Sequence, residues 1–251
     1  MTKIAILDYG MGNLRSVEKA LERVGAEASI TSDPRAARVA DGVILPGVGA
    51  FPAAMRRVRE LELDALVAER LSSGTPVLGI CLGLQLLLER STEQGGGEGL
   101  GLIPGEVAEL EALGLKVPHI GWEAVRWESS SELTEGLATE TPFYFVHSFG
   151  VRPSDGANVL GTAKWGERFV CAVAHPPLYG VQFHPEKSSA AGLRLLANFT
   201  EICASRASDA VAGREHGPAA PVAPEPGQGA EGDRSSGEAG RAVVDEHAAR
   251  R

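Results

Sequence analysis

Cys81 sits between Gly79 and Gly83 in Gly-Ile-Cys-Leu-Gly, where the apolar run T-P-V-L-G-I passes directly into L-G-L-Q-L-L-L-E. This is the G-x-S-x-G nucleophile elbow with sulfur in place of oxygen. Such a turn strains the backbone of its nucleophile, and the flanking glycines remove Cβ atoms that would clash. The side chain then stands at the carboxyl edge of a sheet, where open α/β folds bind ligands. A helix starting at Leu82 would turn its free N–H groups toward the sulfur, favouring the thiolate and holding an oxyanion. The competing reading is a buried structural cysteine, a common fate for this residue. Two glycines at a strand-to-helix junction favour the nucleophile.

A thiol nucleophile needs a base, and the base needs an orienting group. Of the six histidines, His216 and His247 fall in a terminal segment without a core, and His119, His147 and His175 lack metal-ligand spacing, so no metal is expected. His184 ends the apolar run L-Y-G-V-Q-F, and Pro185 stops that run from continuing as a central strand. In an extended segment Glu186 faces the same side as His184 and reaches one ring nitrogen, leaving the other for Cys81. An isolated H-P-E reads as a solvated turn; joined to the elbow it completes a Cys81–His184–Glu186 triad. Pro46-Gly47-Val48-Gly49 ends another apolar run, and its N–H groups are placed to join that of Leu82 in an oxyanion hole. A dinucleotide loop fails because Arg15 stands where the third glycine belongs, and there is no P-loop. The glycine-rich stretch 94–101 reads as a flexible surface loop, and Cys171 and Cys203 as packing residues.

These groups need a scaffold. Apolar runs within 3–10, 27–33, 41–51 and 75–80 read as strands, and helical spacing covers 13–24 and 52–71. The alternation predicts an α/β fold with a central, mostly parallel sheet covered by helices on both faces. After Gly101, short runs within 105–110, 115–127, 142–151, 158–165, 168–175 and 178–184 predict added antiparallel strands, and a last helix spans 188–204. Residues 1–204 form the expected domain. The segment 205–251 has no Leu, Ile, Met, Phe, Tyr or Trp and is expected to be a disordered Ala/Gly/Glu/Pro-rich tail. A formal charge of −9 argues against a nucleic-acid or anionic-membrane partner. The three widely spaced cysteines form no disulfide framework, Met1 leads straight into a strand, and no apolar run suits a membrane helix, so a cytoplasmic protein is expected.

The G-I-C-L-G elbow with Gln85 behind it and the H-P-E of His184–Glu186 resemble the class I glutamine amidotransferases. Within that family, D-Y-G-M-G-N-L-R-S-V, P-G-V-G-A-F, P-H-I-G-W, Y-F-V-H-S-F and H-P-E-K-S, in this order, resemble the glutaminase subunits of imidazole glycerol phosphate synthase. The resemblance spans about residues 3–203. It implies a class I glutamine amidotransferase-like fold, L-glutamine as substrate, no cofactor, and a separate (βα)8-barrel cyclase as heterodimer partner. It also implies roles at matching positions. Cys81 is the nucleophile, His184 the base and Glu186 its orienter. Gly47, Val48 and Leu82 lie at the oxyanion, and Gln85, His147 and Ser148 surround glutamine. Asn13, Trp122, Tyr144 and Lys187 face the cyclase. Departures stand at Glu123 where Asn is usual, Phe149 where Tyr is usual, and Ser189 where Gln is common.

The expected control is a P-G-V-G peptide whose N–H points away from the oxyanion until the partner docks, its glycines making the rotation easy. Other readings remain at this stage. A glutaminase of pyridoxal phosphate or anthranilate synthesis would copurify with a different synthase. A regulatory module on the same fold would not be trapped at Cys81 by a glutamine-like electrophile. A stand-alone γ-glutamyl peptidase would turn over without a partner.

Overall fold

A computed structural model describes residues 1–215. The first half alternates as expected: β1 (Lys3–Leu7), α1 (Leu14–Arg23), β2 (Glu27–Thr31), α2 (Pro34–Arg38), β3 (Gly42–Leu45), α3 (Phe51–Glu60), α4 (Leu63–Ser72), β4 (Val77–Ile80), α5 (Leu82–Leu86) and β5 (Leu88–Ser91). There follow β6 (Gly97–Glu98), β7 (Ile103–Glu109), β8 (His119–Trp127), β9 (Glu140–His147), β10 (Phe149–Pro153), β11 (Val159–Trp165), β12 (Glu167–His175), β13 (Leu178–Val181) and α6 (Ser189–Glu215).

The sheet order is β2-β1-β3-β4-β13-β12-β10-β7-β5-β6. The strands from β2 to β13 in that order are all parallel. Their apolar residues alternate between two cores, the pattern required of strands buried on both sides. Ile4, Ile6, Ile44, Leu78 and Ile80 face α1 and α6 with Leu21, Leu195 and Phe199. Ala5, Leu7, Val43, Leu45 and Val77 face α3 and α4 with Met55, Val58, Leu66 and Val67. Beyond β13 the antiparallel strands begin, and β12 also carries the ribbon β11-β8-β9. That ribbon returns to the end of β13: Phe143 of β9 stacks on Phe183 at 4.0 Å between ring centroids. No helix among the described residues is long and apolar enough to cross a membrane.

Several boundaries differ from expectation. The helix predicted over 52–71 is two helices, because Glu62 adopts φ 55° and redirects the chain so that Leu63, Leu66 and Val67 are buried. The strand predicted over 142–151 breaks at Ser148, sending β9 to β8 and β10 to β7. A short α2 starts at Asp33, whose carboxylate accepts from Arg35 N–H at 2.9 Å. The glycine-rich stretch is bound in place, not a free loop: Gly99 N–H donates to Glu89 at 2.8 Å, and a Cβ there would lie 2.1 Å from the Leu88 carbonyl oxygen. The last helix continues through 205–215, past the expected boundary at 204. Its alanines and arginines are good helix formers that extend an already nucleated helix. The rest of the expected tail, 216–251, lies outside the described residues.

Candidate active site

Cys81 has φ 55° and ψ −109°, between β4 and α5. Both elbow glycines are required by space. A Cβ on Gly83 would lie 1.6 Å from the Leu45 carbonyl oxygen, and one on Gly79 would lie 2.8 Å from the Gly83 carbonyl carbon. Backbone strain of this kind costs about 1–3 kcal/mol and persists only where packing enforces it. The helix behind the elbow is five residues long before the chain turns into β5, shorter than the continuous apolar run implied.

Parallel pairing brings the expected base toward the sulfur. Gly180 pairs with Gly79 and Val181 with Ile80, and Cys81 N–H donates to the Val181 carbonyl at 2.7 Å. Both strands therefore end side by side, one delivering Cys81 and the other running on to His184. His184 Nδ1 and Glu186 Oε1 are 2.8 Å apart, and the two side chains are 4% and 2% exposed. The sequence pattern suggested an extended pair, and the structure differs. Pro185–Lys187 is a 3-10 turn with His184 as its cap. This turn is tied to β9: His184 N–H donates to the Tyr144 carbonyl at 2.9 Å, and Tyr144 N–H donates to Ser188 Oγ at 3.0 Å. The Ser188 hydroxyl in turn donates to the His184 carbonyl at 2.6 Å.

Burial alone would lower the His184 pKa, but the Cys81 sulfur and the Glu186 carboxylate together raise it to about 9. Its Nε2 is buried and makes no hydrogen bond among the described residues, leaving that nitrogen for proton exchange with the sulfur. A cavity of about 260 Å³ opens beside Cys81, lined among others by Val48, Leu82, Gln85, His147 and Ser148. The expected substrate residues are thus gathered at one place.

The groups expected at the oxyanion are close together, but their arrangement is closed. Leu82 N–H donates to the Gly47 carbonyl at 3.4 Å, so the Gly47–Val48 peptide turns its oxygen, and not its N–H, toward the expected oxyanion position. The preceding peptide is clamped, since the buried Tyr9 hydroxyl donates to the Pro46 carbonyl at 2.6 Å. Burial, reinforced by Cys81, pushes the Tyr9 pKa up and keeps that hydroxyl a neutral donor.

His147 is held by both ring nitrogens. Nδ1 donates to the Phe149 carbonyl at 2.9 Å, which leaves Nε2 to accept from His119 Nδ1 at 3.3 Å. His119 and His147 are cross-strand partners, and burial lowers both to about 4, so both are neutral near pH 7. Gln85 also donates to the Phe149 carbonyl, at 2.9 Å. Phe149 thus acts through its backbone, which the Tyr-to-Phe departure leaves untouched. Glu123 stays local, its carboxylate accepting from Ala124 N–H at 3.1 Å. Ser189 begins α6 with φ 51°.

Of the expected docking residues, Trp122 is 51% exposed and lies edge-on to Tyr144, with 6.2 Å between ring centroids. Lys187 Nζ lies 5.9 Å from the Tyr144 ring centroid. Asn13 is exposed at the start of α1, where its side chain makes no capping bond. The sequence reading missed Gln182, Tyr9, Glu93 and His119. Gln182 was visible as one polar residue within an apolar run. Glu93, a carboxylate lining the cavity that accepts from Phe51 N–H at 2.8 Å, and His119, paired with His147, gave no local signal because these partners are far away in the sequence.

Comparison with known proteins agrees with this geometry. Residues 5–203 match the family described as glutamine amidotransferase class-I. The imidazole glycerol phosphate synthase subunit HisH of Moorella thermoacetica is 50% identical over 202 residues, spanning 80% of this chain and 96% of that protein. The protein of the same name from Aquifex aeolicus is 49% identical over 198 residues, spanning 78% and 95%. In fold, the chain is similar to the crystal structure of a glutamine amidotransferase, with TM-score 0.64 at 22% identity, covering 80% of this chain and 98% of that one. The strained cysteine, its histidine from the neighbouring strand and this match across the whole α/β unit agree: the chain belongs to the class I glutamine amidotransferases.

Proposed function

We propose that this chain is the glutaminase subunit of an imidazole glycerol phosphate synthase, acting in histidine biosynthesis. It hydrolyses the side-chain amide of L-glutamine and passes ammonia to a (βα)8-barrel cyclase, which forms imidazole glycerol phosphate and aminoimidazole carboxamide ribotide. The observation that carries the reading is Cys81, strained at its elbow, beside an imidazole that Glu186 orients and Cys81 itself helps to charge.

The Cys81 thiolate attacks the amide carbon, and the carbonyl π pair moves to oxygen. The intermediate collapses with loss of ammonia, whose nitrogen takes a proton from His184, and a thioester remains. Water then adds to the thioester and gives its proton to His184, and the C–S bond breaks to release glutamate. The net change is glutamine plus water to glutamate plus ammonia. A pKa of about 9 keeps His184 protonated opposite the thiolate, ready to act as the acid. Glu186 holds Nδ1, so Nε2 faces the reaction. Gln85, His147 and Ser148 surround the substrate, and Glu93, whose Oε2 accepts from Phe51 N–H at 2.8 Å, offers its other oxygen to the α-ammonium group.

In the closed arrangement the intermediate would meet the Gly47 carbonyl oxygen, and Leu82 N–H is already engaged. Rotating the Gly47–Val48 peptide replaces that oxygen with a donor and frees Leu82. One such donor is worth about 3–4 kcal/mol, or roughly 10²–10³ in kcat. Docking of the cyclase against Trp122, Tyr144, Lys187 and Asn13 drives the rotation. Tyr144 joins this surface to the active site, because its backbone holds both His184 and Ser188. The test compares glutaminase turnover by the free protein with turnover in complex with the cyclase carrying its phosphorylated ligand. The rate rises by roughly 10²–10³ in the liganded complex; full-rate turnover without the cyclase would contradict the closed oxyanion site.

A further inference from the structure

Gln182 lies on the segment between β13 and His184, flanked by Val181 and Phe183, and its side chain is fully buried. Its backbone is fixed, with N–H donating to the Cys171 carbonyl at 2.8 Å. A carboxamide in such a place is unfavourable unless both ends are hydrogen-bonded. They are: Oε1 accepts from Gln85 Nε2 at 3.2 Å, and Nε2 lies 3.6 Å from Cys81 Sγ.

The direction of this chain is set from one end. The Phe149 carbonyl only accepts, so Gln85 must turn its NH₂ group toward it, at 2.9 Å. The second hydrogen of the same NH₂ goes to Gln182 Oε1, which leaves the NH₂ of Gln182 facing sulfur. Gln85 Oε1 is released from this chain on a side chain that lines the substrate cavity. We propose that Gln182 is a further catalytic residue, whose amide N–H stabilises the Cys81 sulfur as an anion while its carbonyl fixes the orientation of Gln85. A sulfur anion accepts an N–H far better than a neutral thiol does, so this donor selects the nucleophilic form. It also holds Sγ from the side of β13, the strand that runs on to His184. The assignment rests on Cys81 being the nucleophile.

The test uses the full chain in complex with its cyclase. Gln182→Met keeps the volume and removes both hydrogen bonds; Gln182→Glu keeps the shape and replaces the donor with an acceptor. Three quantities are read: the rate of Cys81 alkylation by iodoacetamide at fixed pH, kcat and KM for glutamine, and synthase activity with added ammonia. Both variants are expected to alkylate and turn over roughly 10- to 100-fold more slowly, as expected when a hydrogen bond to a charged atom is lost. Glu should be the worse of the two, and ammonia-driven activity should be unchanged. Alkylation and kcat within about two-fold of wild type in both variants would overturn the proposal. So would equal losses in both variants accompanied by lost ammonia-driven activity, which would assign Gln182 to packing. A parallel Cys81→Ala arm separates the two claims: glutamine turnover surviving there refutes the nucleophile itself, whatever Gln182 does.

Discussion

The P-G-V-G turn is braced against Tyr9, and a double-mutant cycle tests how tightly. A Cβ added at Gly47 would lie 2.0 Å from the Tyr9 hydroxyl oxygen and 3.1 Å from Leu82 Cβ. Non-bonded atoms prefer about 3.5–4 Å, so the turn or the tyrosine must move by more than an ångström. Tyr9 is 1% exposed and its neighbours are close-packed, so the displacement falls largely on the turn. Gly47→Ala should therefore destabilise the fold by about 1–3 kcal/mol, the usual range for overpacking. A turn displaced by about 1 Å should lower partner-stimulated kcat by roughly 10². Tyr9→Phe removes the clashing oxygen but strands the Pro46 carbonyl, at a cost of about 1–3 kcal/mol. In the double variant the clash and the lost bond share one atom, so the combined loss should fall short of the sum by about 0.5–3 kcal/mol. Urea denaturation of the four proteins measures the coupling, and glutaminase assays with the cyclase show whether activity returns with it. Strict additivity, or Gly47→Ala at full stability and rate, would refute the brace.

Gly83→Ala should abolish glutamine turnover while leaving ammonia-driven synthesis in the complex intact, because its Cβ would lie 1.6 Å from the Leu45 oxygen directly behind the elbow. His119 and His147 have folded pKa values of about 4, below the unfolded value of about 6.5. Their stabilising contribution is present above pH 6.5 or so and is lost as pH falls toward 4. His184 runs the other way: with a folded pKa of about 9 its contribution is full below about pH 6.5 and is lost as pH rises through 9. Chemical denaturation from pH 4 to 10 should show the acid-side loss shrink in His119→Phe and the alkaline-side loss shrink in His184→Asn. Trp122→Ala should weaken cyclase binding by about 2 kcal/mol or more, as for an exposed aromatic anchor, without changing turnover by the free protein; calorimetric titration measures it.

What could be read from the sequence was whatever is local. The elbow is a five-residue pattern whose glycines answer clashes within the turn and with the adjacent strand, so Cys81 could be singled out at once. The parallel strands were legible because residues such as Ile4, Ala5, Ile6 and Leu7 are apolar on both faces. The break at Glu62 was not, because a non-glycine residue in the left-handed region carries no compositional sign. The His119–His147 pair depends on the register of β8 against β9, and the link from Gln182 to Cys81 on that of β13 against β4. Neither register is written in either strand alone. The 184–186 pair is close in sequence, but a tight turn and not an extended strand brings imidazole and carboxylate together.

The central claim is that a Cys81 sulfur anion generates the ammonia and that the partner consumes it. Its most direct test is synthase activity of the Cys81→Ala complex with glutamine and, separately, with ammonium salt. The account predicts no product from glutamine and wild-type rates from ammonia; product formed from glutamine by this variant would contradict it.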